Sequence, residues 1–97
     1  MAALRALPGV IAAVGDLPVM IDSGFRRGTD VLKALALGAR LVFIGRPFNY
    51  AAAYAGEAGV AHAIQLLSGE LQRDMALLGI SRLDDLTDAC LIKNPRA

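Results

Sequence analysis

The spacing of apolar positions divides the chain into short elements. Val10, Ile11 and Val14 share one face of a helical repeat that follows Pro8 and stops at Gly15-Asp16. Proline suits the first turn of a helix, where its missing N–H is not needed, so a short helix is expected to begin at Pro8. Leu17-Pro18-Val19-Met20-Ile21 then runs apolar for the length of a strand and closes on Asp22-Ser23-Gly24. An apolar run bounded by turn residues predicts a parallel strand buried on both faces. From Thr29 to Leu37 the helical spacing returns in Val31, Leu32, Leu35 and Ala36, with Asp30 in the first turn and Gly38 placed for a left-handed cap. Arg40-Leu41-Val42-Phe43-Ile44 is a second buried-strand run, ending at Gly45.

Pro47 restarts a short helix through Asn49 and Tyr54 that ends near Gly56, and a longer helix follows. Val60, Ile64, Leu67, Leu71, Met75 and Leu78 form its apolar stripe until Gly79. Ser81, with Asp84 three residues on, predicts the capped start of a last small helix around Leu83 and Leu86, before a polar tail from Lys93 to Arg96. Two apolar strands joined by one helix make a right-handed crossover, which sets both strand C-termini at one edge of a parallel sheet. Asp22-Ser23-Gly24 and Gly45-Arg46 are therefore expected to be neighbours in space.

Composition changes this picture in one respect. The 97 residues are 56% hydrophobic and 20% charged, with a mean hydropathy of +0.50. A domain of this size buries only about two-thirds of its unfolded surface, so much apolar area must be shown or covered by a partner. The chain is expected to be part of a larger unit and, alone, to self-associate. Disorder is excluded, because it requires low hydrophobicity and high net charge. A net charge of +1 gives no basic field for nucleic acid, so any anion site must be local. Cys90 is the single cysteine, and neither it nor His62, the single histidine, has partners at metal-ligand spacing. With no run of about 18 apolar residues, and Pro8, Gly9 and Asp16 interrupting the start, neither a membrane span nor a signal sequence is expected, and the chain reads as cytoplasmic.

The chemistry is expected where the two strands end in glycine. Glycine lets backbone N–H groups approach a ligand, and a following helix N-terminus adds partial positive charge. Arg26 and Arg27 stand between the first strand and its helix, and Arg46 between the second strand and the Pro47 helix. Their guanidinium groups suit a phosphate. Strand, loop, helix, strand, loop, short helix is also the order of the phosphate site after strands seven and eight of (β/α)8 barrels. The competing reading makes these solvated loop arginines and the glycines mere turns.

The residues also carry a resemblance that covers nearly the whole chain. Asp22-Ser23-Gly24-Phe25-Arg26-Arg27-Gly28-Thr29-Asp30, Ala34-Leu35-Ala36-Leu37-Gly38-Ala39, Ile44-Gly45-Arg46-Pro47, Gly56-Glu57-Ala58-Gly59-Val60 and Met75-Ala76-Leu77-Leu78-Gly79 closely resemble the C-terminal part of the FMN-dependent 2-hydroxy-acid oxidases and dehydrogenases. Glycolate oxidase and L-lactate dehydrogenase typify that family. Other phosphate-binding barrels such as IMP dehydrogenase share a looser pattern, without the Gly-Arg-Pro and Gly-Glu-Ala-Gly-Val runs.

The resemblance implies an α/β fold: the C-terminal βαβα segment, strands seven and eight with their helices, of a TIM (β/α)8 barrel, with residues 1–97 as one incomplete barrel domain. It implies FMN as cofactor and a small 2-hydroxy acid as substrate of the complete enzyme, oxidised to the 2-oxo acid. Asp22 matches the family aspartate beside the ribityl chain; Ser23, Gly24, Phe25 and Arg26 match the phosphate loop; Gly45 and Arg46 match the second phosphate-binding pair. Two positions depart from the family, which has glycine at Ser23 and isoleucine or valine at Phe25. Serine carries a Cβ, so a positive φ there would strain the loop. The family's catalytic histidine and substrate-binding arginine lie before the segment matched here, so no catalytic residue and no metal ligand is assigned in this chain. His62 is expected on a solvated helix flank, Cys90 as a buried or half-buried apolar residue, and Tyr50 with Tyr54 as a pair packing on the next helix or a neighbouring subunit. Asp84 and Asp85 only complement a helix dipole. The alternative is a non-catalytic phosphate- or nucleotide-binding half-barrel that self-associates.

Overall fold

The computed structural model describes residues 2–92, in the order α1 (Ala3–Val14), β1 (Met20–Asp22), α2 (Gly28–Ala36), β2 (Leu41–Phe43) and α3 (Arg46–Leu78), followed by short 3-10 turns at Leu83–Asp85 and Asp88–Cys90. The expected polar tail lies outside the described residues. β1 and β2 pair in parallel, Met20 with Leu41, Ile21 with Val42 and Asp22 with Phe43, as the crossover argument requires.

Both strands are shorter than their apolar runs, and only one face is covered. Ile21 is buried and Val19, Val42 and Ile44 are half-buried, whereas Met20, Leu41 and Phe43 on the other face are 59%, 49% and 47% exposed. The expectation of strands buried on both sides is corrected accordingly, because the helices of this chain lie on one side of a two-stranded sheet. Leu17 is left outside β1, next to Pro18, which has no N–H to give to a ladder.

α1 begins five residues before Pro8, which sits inside it rather than in its first turn. A proline there removes one intrahelical hydrogen bond. Burial outweighs that local signal: Leu7 is 3% exposed, and Leu4 and Ile11 join it against the core. Most helical stability in proteins comes from packing of this kind. Leu7, Ile21, Phe25, Ala34 and Ala39 form the centre, between α1, α2 and the covered face of the sheet. Each large member contributes about 1.5–3 kcal/mol by leaving water.

α2 matches its expected span to within one residue and ends as foreseen. Gly38 adopts φ +110°, and Gly38 N–H and Ala39 N–H donate back to Leu35 and Ala34 carbonyls at 3.1 and 3.0 Å. α3 is two helices joined at a kink, 46–54 and 57–78, where Ala55 and Gly56 leave helical angles. That is the expected break near Gly56. The long stripe is half-buried at Val60, Leu67, Leu71 and Met75, exposed at Ile64 and Leu78, and His62 is exposed on its flank.

The end of the chain departs from expectation. Arg82, not Ser81, stands at the N-cap, no side chain caps it, and two three-residue turns replace the small helix. Their i→i+3 bonds, Leu86 N–H to Leu83 O at 3.0 Å and Leu91 N–H to Asp88 O at 3.0 Å, close each turn before a helix forms. Cys90 is exposed rather than buried. Tyr50 and Tyr54, expected as a packing pair, are 67% and 92% exposed.

Candidate functional site

The Asp22–Phe43 pairing ends both strands at the same level. The two following loops therefore open side by side into a cleft of about 320 Å³, lined by Ser23, Gly24, Phe25, Arg26, Phe43, Gly45, Arg46 and Pro47. Six of the seven residues expected to bind a cofactor line it. Asp22 does not, since its Oδ1 accepts the Ser23 N–H at 2.7 Å and so braces the first step of the loop. Phe25 lines the cleft although it is only 5% exposed and belongs to the core cluster.

The loop turns by positive φ at two consecutive residues, +97° at Ser23 and +83° at Gly24. Gly24 adopts this freely, but Ser23 is the single non-glycine residue at positive φ among the described residues. The strain anticipated from its Cβ is present. Among the described residues the N–H groups of Gly24, Phe25 and Gly45 have no hydrogen-bond acceptor. Gly45 is also the N-cap of α3, where no side chain satisfies the helix end. Free amides, a helix N-terminus and the exposed Arg26 and Arg46 give the cleft the character of an anion site.

The N-terminus of α2 is differently disposed. Asp30 Oδ2 accepts the N–H groups of Arg26 and Arg27, each at 3.1 Å, and Glu70 Oε1 accepts that of Gly28 at 2.9 Å. Arg27 turns from the cleft to Glu70, its Nε–H donating to Oε2 at 2.6 Å. Of the three arginines considered for a phosphate, two remain. The Arg27 hydrogen bond and then the Gly28 amide hold the Glu70 carboxyl below the usual carboxylate range, and the same pairing raises the Arg27 pKa. Phe43, Pro47 and Glu70 were not foreseen. Phe43 and Pro47 adjoin foreseen residues, while Glu70 stands beside the α3 stripe with no local signal to single it out.

Fold and cleft together define part of a parallel α/β protein whose anion-suited cleft lies beyond the strand C-termini. The chain matches the family of FMN-dependent dehydrogenases over residues 1–93, and it belongs to that family. It is 51% identical over 92 residues to an L-lactate oxidase of Nostoc sp., covering 94% of this chain and 25% of the relative. It is 55% identical over 87 residues to glycolate oxidase 5 of Oryza sativa subsp. japonica, covering 89% of this chain and 24% of that one. A soluble mutant of the membrane-associated (S)-mandelate dehydrogenase from Pseudomonas putida superposes with a TM-score of 0.84 at 42% identity, over 89% of this chain and 24% of that one. The chain thus spans about a quarter of the length of the relatives it matches. Its two parallel strands and helices are consistent with part of the TIM barrel of such flavoenzymes.

Proposed function

We propose that this chain is the phosphate-holding part of an FMN-dependent oxidoreductase that converts 2-hydroxy acids to 2-oxo acids, and that β1 and β2 are strands seven and eight of its barrel. The observation that carries the reading is the cleft itself: two loops brought level by the Asp22–Phe43 pairing, with free amides at Gly24, Phe25 and Gly45 between Arg26 and Arg46. This donor set fits the phosphate end of FMN. Gly24 and Gly45 let backbone come close, and the two arginines supply charge-assisted hydrogen bonds. Ser23 offers a hydroxyl at the rim, and Asp22 keeps the loop start in place. FMN when bound supplies the acceptor for a hydride from the substrate carbon. The names of the relatives, which act on lactate, glycolate and mandelate, support a small 2-hydroxy acid as substrate.

The exposed apolar face at Met20, Leu41 and Phe43 favours a second reading for the chain by itself, a non-catalytic phosphate-binding half-barrel that self-associates. Calorimetry with inorganic phosphate tests the site. The chain is expected to bind it weakly and Arg46→Ala to bind it markedly less; equal affinity in the two would refute the assignment. Anaerobic mixing with FMN and glycolate, lactate or mandelate separates the readings, since bleaching of the flavin absorbance by this chain alone is expected only of a complete catalytic site.

A further inference from the structure

The loop from Ser23 to Arg26 faces the cleft on one side. On the other its exit into α2 is held by Glu70, 42 positions away from Gly28 along the chain. Glu70 makes three contacts there: Oε1 accepts the Gly28 N–H at 2.9 Å, and Oε2 takes Arg27 Nε at 2.6 Å and Arg27 Nη2 at 2.5 Å. Its side chain is 19% exposed and that of Arg27 72%. The reach depends on Gly28, since a Cβ at that position would lie 2.7 Å from Glu70 Cβ and 2.8 Å from the Leu71 nitrogen. α3 therefore passes the start of α2 at backbone contact.

We propose that Glu70 is a positioning residue of the anion cleft. Clasping Gly28 and Arg27 from behind, it fixes the Ser23–Arg26 loop opposite Gly45 and Arg46 and keeps the Arg27 charge outside. This rests on the phosphate-binding reading above. The loop is anchored at its entry by the β1–β2 ladder and the Asp22–Ser23 bond, and at its exit by the Asp30 and Glu70 carboxylates. Freeing the exit makes binding order the loop as well as desolvate the anion, which weakens affinity without removing any group that touches the ligand.

Inorganic phosphate is titrated into the parent chain, Glu70→Ala, Glu70→Gln and Arg46→Ala, each melted in parallel and held well below its transition. Glu70→Ala is expected to weaken binding about tenfold, and Glu70→Gln no more than about threefold, because its amide oxygen still accepts the Gly28 N–H. A clasp that served stability alone would lower the melting temperature and leave affinity unchanged, and that result overturns the proposal. Tighter binding in Glu70→Ala also overturns it, since Arg27 would then be the better ligand once released. Amide order parameters from Ser23 to Arg26, measured without phosphate, test the clasp by itself: they are expected to fall in Glu70→Ala, and parent values refute it. Parent-like affinity in Arg46→Ala instead refutes the phosphate reading and leaves the order parameters to decide on Glu70. Should Glu70→Ala not fold, Arg27→Met with Glu70→Met keeps the volume of the pair and is expected to show the same loss.

Discussion

Ser23→Gly is expected to stabilise the chain even though it removes a side chain from the candidate site. Ser23 holds φ +97°, where a Cβ is strained, and its exposed hydroxyl has no hydrogen-bond partner among the described residues. Strain of this kind costs about 1–3 kcal/mol in a non-glycine residue, and glycine would adopt the same angle freely. Against this, glycine gives the unfolded chain more conformations, which costs about 0.4–1 kcal/mol. With the middle of each range the balance is about 1.3 kcal/mol in favour of glycine, its limits lying between about 0 and 2.6, and the middle value is a rise of roughly 5–10 °C in melting temperature for a domain of this size. The assay is thermal unfolding by circular dichroism at one fixed protein concentration, with Ser23→Ala as companion. Alanine loses the hydroxyl but keeps the Cβ, so it is expected to melt no higher than the parent. If Ser23→Gly melts at or below Ser23→Ala, the loop stores no strain at this position and the reasoning fails.

Three further outcomes follow from the same geometry. Gly28→Ala, which drives a Cβ into the backbone of α3 at Leu71, is expected to destabilise by about 1–3 kcal/mol, and a melting temperature equal to the parent's would contradict the close crossing. The Glu70 carboxyl is held below its ordinary value of 4.5, so its contribution is full above that pH and lost as pH falls through the lowered folded-state value. The gap in melting temperature between parent and Glu70→Gln is therefore expected to be constant from pH 8 to about pH 6 and to close in acid, whereas a gap independent of pH would remove the ion pair from the explanation. With Met20, Leu41 and Phe43 exposed beside unpaired strand edges, light scattering at tens of micromolar is expected to find species larger than 10.1 kDa; a monodisperse monomer that melts cooperatively would show a self-sufficient core.

Much of the architecture is local information and was legible along the chain. The α2 span, its Gly38 cap, the break at Gly56, the Gly79 stop and the parallel pairing of two short strands all follow from apolar spacing and glycine placement, which act within a few residues. Six of the eight cleft residues were legible too, because a crossover between parallel strands must bring the two glycine-bearing strand ends to one edge. Tertiary packing decided the rest. It carried α1 through Pro8 because burying Leu7 outweighs one missing hydrogen bond, and it covered only one face of strands that read as covered on two. It also divided the arginines: Arg26 and Arg46 border the cleft, while Arg27 turns to Glu70, a partner that no spacing rule connects to it. The direction a guanidinium takes depends on which carboxylate the fold brings within reach, and here that required two helices to meet at Gly28.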